Sequence, residues 1–300
     1  MNKQAKIEET TAVLAKADPN SPVFELTGRD SLVIKVGTSF GGFNFPEGQA
    51  VAMPIDGLES GADYAVTIVD GIAAAFRVDA PPVATSYIGG FHFAPGGNAT
   101  AREGGDEIPA INPFSLWDLN FRPLCPDPRG MVLVQAPGGA FWCDIYLTGA
   151  DCASEGTSRL DVTIADGDDC PKDAAGNRYK RFDYETAVAV MAAHGKELLS
   201  IEEFFAAAFG VTEKTTHSDD PETTKLDASR TSKYGLMQAT GNMWVWGHDG
   251  DPDTPRASIF GGSWICGGYA GSRYANVDDW PGVSDGGLGA RGRSDHLQPV

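Results

Sequence analysis

The segment of residues 259–297, IFGGSWICGGYAGSRYANVDDWPGVSDGGLGARGRSDHL, has the most unusual composition in the chain. From Gly261 to Arg291 it contains no Lys, Glu, Gln or Met, although Lys and Glu are among the commonest residues of globular domains. Gly and Asp favour turns, whereas Trp and Tyr provide large contact surfaces that lose little conformational freedom on binding. This composition is typical of two structures, the loop-rich end of a β-rich domain and a binding surface.

Short motifs in a particular order favour the second interpretation. They are Gly-Asn-Met-Trp-Val-Trp at 241–246, Gly-Gly-Ser-Trp at 261–264, Gly-Ser-Arg at 271–273, Gly-Ala-Arg-Gly at 289–292 and Asp-His-Leu at 295–297. With these motifs, residues 131–297 resemble the variable proteins of diversity-generating retroelements, and the first motif is shared with formylglycine-generating enzymes. The resemblance implies a C-type lectin-like domain of the formylglycine-generating-enzyme variety, and it does not extend to residues 1–110.

The resemblance also implies a set of variable, ligand-binding positions. In this family a mutagenic reverse transcriptase rewrites codons at template adenines, while a scaffold of Gly, Trp, Arg and Asp-His is kept. The implied positions are Ser263, Ile265, Cys266, Gly267, Tyr269, Asn276, Asp278, Asp279, Val283, Asp285, Gly287 and Leu288. An AAY codon randomised at both adenines encodes all of these residue types, and it cannot encode Lys, Glu, Gln, Met or Trp. The resemblance therefore accounts for the missing residue types, and it leaves Trp264 and Trp280 outside the variable set.

The charge of the chain limits its possible partners. The 300 residues carry a formal net charge of −18 and a pI near 4.5, whereas phosphate binding requires clustered Lys and Arg. We therefore expect no nucleic acid partner and no attraction to an anionic membrane. No run of eighteen apolar residues exists, and the first twenty residues are too polar for a secretory signal peptide, so neither membrane insertion nor a signal peptide is expected.

The cysteines are predicted to be free and mostly buried. They are Cys125, Cys143, Cys152, Cys170 and Cys266. An odd number without CxxC spacing indicates neither a zinc site nor a disulfide framework. A Cys143–Cys170 or a Cys125–Cys152 bridge remains an alternative, because sequence does not assign connectivity.

Hydrophobic periodicity changes near residue 20. Within residues 1–20, Ile7, Thr11 and Leu14 have helical spacing, which predicts a short helical arm that ends at Pro19. Fraying at the terminus is the alternative to a stable helix.

Residues 21–113 are predicted to form a small antiparallel β-sandwich or barrel that serves assembly or attachment. Period-two runs at 23–26, 32–36, 50–53 and 64–69 are separated by Gly, Asp and Pro. Residues 80–113 are rich in Pro and Gly, which predicts a boundary or an extended connection. His92 lies between two Phe residues in this part, and it is predicted to be packed rather than to bind a ligand.

Residues 114–300 are predicted to form the C-type lectin-like domain, with a variable region at about 260–292. Residues 131–149 resemble the opening strand region of that fold. Two helices are predicted to follow: Asp183 caps a run to His194, and Ser200 with Glu203 makes a capping box for 201–209. The polar residues 211–233 are predicted to form an exposed loop. The fold class of the whole chain is then α+β.

Two acidic runs raise the question of calcium, which prefers several carboxylate oxygens. They are Asp249, Asp251 and Asp253 in one run and Asp166, Asp168 and Asp169 in the other. Neither run has the Gly and Glu of an EF-hand loop at the required positions. The first is interpreted as a solvated turn, and no metal or other cofactor is expected at either.

Cys266 is the strongest candidate for catalysis. In formylglycine-generating enzymes the corresponding element supplies one of two cysteines that bind copper, and the second lies five residues later, where this chain has Gly271. A single thiol cannot form that pair. Ser294, Asp295 and His296 invite comparison with a hydrolase, but no nucleophile elbow precedes them, and His296 is predicted to be a structural hydrogen-bonding residue. No catalytic residue is therefore predicted.

Four large side chains are assigned to the scaffold. Trp244 and Trp246 lie one strand period apart, which predicts that both indoles share a buried face. Arg273 and Arg291 are predicted to pair with scaffold acids or carbonyls rather than with a ligand.

The function predicted from these features is receptor binding without catalysis, in a virion at a phage tail-fibre tip or on a bacterial cell surface. The expected partner is a variable protein or glycan receptor on a target cell. A homo-oligomer is also expected, because joined copies gain avidity, and a phage member of the resembled family is a trimer. The alternatives are a formylglycine-generating-enzyme-like oxidase, opposed by Gly271, and a calcium-dependent carbohydrate lectin, opposed by the lack of an EPN or QPD motif.

Overall fold

A computed structural model of the chain describes residues 13–79, 87–96 and 107–297. The described residues before 119 contain β1 (Leu14–Ala15), β2 (Phe24–Leu26), β3 (Leu32–Ile34), β4 (Thr38–Phe40), β5 (Phe43–Phe45), β6 (Gln49–Ala50), β7 (Ala62–Val69), β8 (Ile72–Arg77), β9 (Gly89–Ala94), β10 (Ala110–Ile111) and β11 (Trp117–Asp118). They form two three-stranded sheets, β1-β4-β5 and β2-β3-β6. A five-stranded sheet has the order β10-β9-β7-β8, and β11 also pairs with β9.

The β7–β8 hairpin shows how local sequence sets the register. Asp70 and Gly71 form the two-residue loop, with φ of 51° and 79°, and Val69 pairs with Ile72 across it. Asp-Gly is a preferred pair for type I′ turns, whose twist matches that of the flanking strands. The predicted strand runs at 23–26, 32–36 and 64–69 correspond to β2, β3 and β7.

The predicted N-terminal helix is wrong where the structure describes it. Leu14 and Ala15 form β1 and pair with Phe40 and Ser39 of β4. Leu14 is buried while Val13 and Ala15 are exposed, which is the alternation of a strand with one covered face. Residues 1–12, where the rest of the helical pattern lies, are outside the described residues.

The predicted extended connection at 80–113 is also wrong in part, because it contains the central strand β9. Every residue of β9 is buried, and the strand pairs with β7, β10 and β11. A Cβ on Gly90 would overlap the Tyr64 carbonyl and would lie 2.8 Å from the Trp117 ring. The glycines that resembled a linker are therefore required by close approach of neighbouring strands.

His92 of β9 is packed, as predicted. Its Nδ1 lies 3.0 Å from Asp63 Oδ1, and its Nε2 lies 3.1 Å from the Tyr146 hydroxyl. Asp63 Oδ1 also accepts a hydrogen bond from Gly130 N at 3.0 Å. This buried network joins the five-stranded sheet to the second half of the chain.

The second half contains β12 (Met131–Ala136), β13 (Gly139–Asp144), α1 (Cys152–Glu155), α2 (Tyr184–Ala193), β14 (Glu197–Ser200), α3 (Ile201–Ala207), β15 (Trp244–His248), β16 (Ala257–Phe260), β17 (Ala275–Val277), β18 (Leu288–Gly289) and β19 (Gly292–Asp295). Short 3-10 helices occur at Pro113–Ser115 and Ala228–Arg230. One eight-stranded sheet has the order β12-β13-β19-β14-β15-β16-β17, and β18 pairs with β15. The described fold is therefore mostly β with a few short helices, and the α+β assignment overstated the helices.

Both predicted helix starts are confirmed. Asp183 Oδ1 accepts from Thr186 N at 3.1 Å and begins α2. Ser200 and Glu203 form the reciprocal capping box of α3, which ends at Ala207, two residues before the predicted end. Side-chain caps satisfy N–H groups that a helix cannot pair internally, so these short motifs identify helix starts reliably.

Helix α3 packs against the eight-stranded sheet, and the core between them includes Val132, Leu199 and Phe260. Trp246 is completely buried on β15 and donates from Nε1 to the Phe182 carbonyl at 3.2 Å. Within the described ranges, no helix is long and apolar enough to cross a membrane.

Candidate binding site

The implied variable region leaves the eight-stranded sheet after β16 and returns to it at β18. On the way, β17 pairs with β16, so that Ala275 lies opposite Phe260. β18 then runs parallel to β15, with Leu288 opposite Trp244. The loops of residues 261–274 and 278–287 are thus carried by three strands of one sheet.

Glycines hold the first of these loops close to the scaffold. Gly261 and Gly262 have φ of 88° and 78°, and a Cβ on Gly262 would lie 2.7 Å from the Tyr269 carbonyl. Both of their carbonyls accept from Gly241 N, the first residue of the Gly-Asn-Met-Trp-Val-Trp motif. The two motifs that carried the resemblance therefore contact each other, and only glycine fits the left-handed conformation there.

Residues 211–233 contact the same loop, and most of them are at least partly exposed, as predicted, although five are buried. Glu213 accepts from both the N–H and the hydroxyl of Ser272. Thr224, Thr231 and Ser232 are fully buried. Part of the polar composition of this segment therefore serves buried hydrogen bonding.

The side chain of Arg291 links the end of the variable region to the core through hydrogen bonds. It is 1% exposed, and its guanidinium donates to the carbonyls of Asp144, Ile145, Met237 and Gln238. This confirms the predicted pairing with carbonyls. Burial lowers the pKa of Arg291, although its ordinary value is high enough that the group stays charged. Arg273 differs from the prediction, because it is exposed and lies over the Phe205 ring at 5.3 Å.

The twelve implied variable positions are unequally exposed. Ile265, Gly267, Tyr269, Asn276, Asp278 and Asp285 are exposed, whereas Cys266, Asp279, Val283 and Gly287 are half-buried. Ser263 and Leu288 are only 1% and 2% exposed, because one follows the buried Gly262 and the other lies in β18. Ten of the twelve positions are thus at least partly exposed, and two are buried.

Seven of the variable positions line one concavity of about 520 Å³, which we call the tryptophan cleft. The variable lining residues are Ser263, Ile265, Asp279, Val283, Asp285, Gly287 and Leu288, and the others are Asp168, Asp220, Trp244, Ile259, Trp264 and Gly286. Trp244 packs against the core cluster that contains Trp246, as predicted, but it is only half-buried and also lines the cleft. Trp264 is likewise half-buried.

The acidic turn at residues 166–169 supports one wall of the cleft. Gly167 N donates to the Asp285 carbonyl at 3.0 Å, and a Cβ on Gly167 would overlap the Asp285 backbone. Asp166 Oδ1 accepts from Asp168 N at 2.7 Å and from Asp169 N at 2.6 Å. Burial raises the pKa of Asp166 to about 6. The run that resembled a calcium loop is therefore a structural support for the variable loop.

The other acidic run binds its own loop. Asp249 accepts from Arg256 through backbone and side chain, and the backbone bond is the main reason that the Asp249 pKa falls to about 2. Asp251 accepts from Asp253 N and Thr254 N. In the part of the chain that the structure describes, no group of three His, Cys, Asp or Glu residues is arranged to hold a metal ion.

The candidates for catalysis have structural roles. Trp142 Nε1 donates to His296 Nδ1 at 2.9 Å, Ser294 Oγ accepts from Cys125 N at 3.0 Å, and Arg293 pairs with Asp295. His296 is thus a structural hydrogen-bonding residue, as predicted. All five cysteines are free thiols, and four of them are buried.

Gly271 is unsuited to a second thiol beside Cys266. Its φ is +147°, and a Cβ at this position would overlap the carboxylate of Glu213. Cys266 Sγ instead lies 3.3 Å from Ser263 N within its own turn. The copper-binding pair of the resembled oxidases does not fit these residues.

Sequence reasoning missed several residues of the cleft. Asp168 was considered only as a calcium ligand, Asp220 was placed in an exposed loop, and Trp244 was placed in the core. No local pattern marks them, because they reach the site from segments far away in the sequence.

The described chain is a mostly β scaffold that carries a concave surface of turn residues, the form of a binding protein. Residues 22–118 match the family model for the Mtd second domain. The structure resembles the Major Tropism Determinant I1 variant with a TM-score of 0.83 and 37% identity, covering 96% of this chain and 86% of that one. The P3c variant gives the same values.

A relative at the sequence level is the tail fiber receptor-binding protein of Bordetella phage BPP-1. It is 38% identical, across 94% of this chain and 84% of the relative. The chain belongs to the Major Tropism Determinant family. The predicted family is thereby confirmed. The prediction that the resemblance does not extend to residues 1–110 is wrong, because the family model matches residues 22–118 and the relative covers 94% of the chain.

Proposed function

We propose that the chain is the receptor-binding protein of a phage tail fibre and that the tryptophan cleft with its exposed rim is the recognition surface. The observation that carries this proposal is the convergence of seven implied variable positions on one cleft beside two tryptophans of the scaffold. Concave sites with aromatic walls and a few polar groups are the usual form of a binding site. The C-terminal half would then be a C-type lectin-like domain that varies its surface without disturbing its core.

Three further points belong to the same proposal. The protein resides in the virion, as the tail-fibre relative suggests, and its receptor is a variable protein or glycan on the host surface. It catalyses no reaction, which the crowding at Gly271 supports. It acts as a homo-oligomer, with a trimer expected, and exposed apolar side chains on the N-terminal sheets, such as Val69 and Ile72, support contact between copies.

Adsorption to host cells tests the recognition surface. Ile265 and Tyr269 are 71% and 76% exposed on the variable loop, so Ile265→Ser and Tyr269→Ser should remove contact area with little loss of stability. We expect each to reduce adsorption about tenfold, which corresponds to about 1.4 kcal/mol of binding free energy. Ile55→Ser is the matched control, because Ile55 is a fully exposed isoleucine far from the cleft in the sequence. If Ile265→Ser and Tyr269→Ser adsorb like Ile55→Ser, the assignment of the surface is wrong.

Light scattering tests the oligomer. The full chain should have about three times its monomer mass, and the full chain with Val69→Asp and Ile72→Asp should dissociate, because charge at an apolar interface is unfavourable. A full chain that is monomeric at micromolar concentration would contradict assembly and leave the recognition surface untouched.

A further inference from the structure

We propose that the tryptophan cleft binds a cationic side chain, an arginine or lysine on a protein receptor. This inference rests on the proposed function and adds the chemistry of the ligand. It is carried by two independent observations, the unpaired carboxylates of the cleft and the aromatic and apolar surfaces between them.

Four carboxylates line the cleft, and no Lys, Arg or His is among its lining residues. They are Asp168, Asp220, Asp279 and Asp285. Among the residues that the structure describes, none of the four forms an ion pair. Asp168 and Asp220 belong to the scaffold, whereas Asp279 and Asp285 are implied variable positions. Half of the negative charge of the cleft therefore does not depend on the variable codons.

The carboxylates are held by neutral donors of their own loops. Asp279 accepts from Asn276 Nδ2 at 3.0 Å and from Trp280 N at 2.7 Å. Asp285 Oδ1 accepts from Gly287 N at 2.8 Å. These bonds orient the carboxylates and leave their negative charge uncompensated, so a cation in the cleft gains more than one in open solvent.

The nearby arginines are already used elsewhere. Arg256 pairs with Asp249 and contacts Asp278 at 3.6 Å. Arg178 donates to the Asp168 carbonyl and pairs with the Asp169 carboxylate. Both guanidinium groups therefore form their ion pairs with carboxylates that are not among the four of the cleft.

The space at the Asp168 carboxylate depends on a glycine. A Cβ on Gly286 would lie 2.5 Å from Asp168 Oδ2. Since Gly286 lies between the variable positions Asp285 and Gly287 and is not one of them, the scaffold keeps this carboxylate uncovered whatever the variable codons encode.

The indoles and apolar residues complete a site for a long cationic side chain. Trp244 and Trp264 line the cleft, and a cation placed over the face of an indole is attracted through the ring quadrupole by about 0.5–2 kcal/mol, depending on desolvation. Ile259, Val283 and Leu288 line the same cleft and offer a surface to an aliphatic stem. A free metal ion would not use these apolar walls, and an anionic sugar or phosphate would be repelled by the four carboxylates.

Trp264 favours a protein ligand over an isolated cation. Its Nε1 is buried and has no hydrogen-bond partner in the described part of the chain. An unpaired buried N–H costs stability, and a protein ligand has backbone carbonyls that can accept such a bond, whereas an isolated cation has no acceptor.

The test uses the full chain with ¹⁵N-labelled tryptophan and short peptides as probes. The probes are acetyl-Gly-Arg-Gly-amide and acetyl-Gly-Lys-Gly-amide, with the neutral citrulline analogue of the arginine peptide as the control. Binding is followed through the indole N–H signals, assigned by Trp244→Phe and Trp264→Phe. We expect the Arg and Lys peptides to shift the Trp244 and Trp264 signals with dissociation constants in the millimolar range, about −4 kcal/mol, and citrulline to leave them unchanged.

Charge variants complete the test. Asp279→Asn with Asp285→Asn removes two charges from the cleft and keeps the accepting oxygens, and it should weaken the Arg peptide at least tenfold. Asp30→Asn with Asp253→Asn changes the net charge equally at exposed sites outside the cleft, and it should change the affinity less than twofold. Equal shifts with citrulline, no shift with either cation, or equal effects of the two double variants would overturn the proposal. The adsorption of Ile265→Ser is measured separately and does not depend on these peptides. A failure of the cation proposal is therefore distinguishable from a failure of the recognition surface.

Discussion

Arg291 makes the sharpest test of the scaffold that carries the variable loops. Arg291→Lys keeps the charge and most of the aliphatic stem, and it replaces a planar fork of donors with a single ammonium. In the native chain, one terminal nitrogen of Arg291 donates to Asp144 O at 2.8 Å and the other to Met237 O at 2.7 Å. Further bonds go to the Ile145 and Gln238 carbonyls, so the guanidinium ties two separate chain segments to the end of the variable region.

The expected loss follows from these contacts. One ammonium can serve one pair of carbonyls, which leaves at least one buried carbonyl of the other segment unpaired at about 1–3 kcal/mol. An ammonium is also more strongly hydrated than a guanidinium, so its burial at a site that is 1% exposed costs more. Together these terms give a loss of about 3–5 kcal/mol, comparable to breaking a buried ion pair. This is a large part of the 5–15 kcal/mol typical of a whole domain.

Urea unfolding followed by circular dichroism measures this loss. Arg273→Lys is the matched control, because Arg273 is exposed and only stacks on Phe205, and its free energy of unfolding should change by less than about 0.5 kcal/mol. If Arg291→Lys unfolds within about 1 kcal/mol of the native chain with an unchanged slope, the carbonyl contacts do not hold the scaffold as we argue.

The remaining predictions concern the variable loops and their acidic support. Trp264→Ala should lower the free energy of unfolding by about 2 kcal/mol, which is less than for a fully buried tryptophan, because Trp264 is half-buried. Asp278→Ser should change host adsorption, and its free energy of unfolding should stay within about 0.5 kcal/mol of the native value. Equal losses of melting temperature would contradict this contrast. Asp166 has a folded pKa of about 6 against an ordinary 3.8, so the native state binds more protons and the Asp166 contribution to stability falls as pH rises between those values. Asp166→Asn keeps the accepting oxygen and carries no charge. Between pH 4 and pH 7 its free energy of unfolding should therefore rise relative to that of the native chain by about 1 kcal/mol, an amount reduced for screening by solvent. A pH-independent difference between the two would show that Asp166 is not perturbed.

Local interactions are the part of this protein that its sequence predicts well. The caps at Asp183 and at Ser200 with Glu203 involve residues three apart, so they are legible in the sequence and begin α2 and α3. The paired glycines at 261 and 262 are required by a backbone conformation that other residues rarely adopt. The family motifs around them identify the same surface, although the ligand-binding role of the twelve implied positions stays a prediction.

Contacts between distant segments were decided only by the tertiary structure. The sequence could not place β9 at the centre of a sheet, because glycines that admit a neighbouring strand are indistinguishable from glycines of a linker. It could not bring Asp168, Asp220 and Trp244 to one cleft, since each arrives from a different segment of the chain. Nor could it separate the buried Ser263 and Leu288 from their exposed neighbours. Short-range hydrogen bonds and backbone sterics depend on residues a few positions apart, whereas the walls of the cleft depend on how a whole sheet packs.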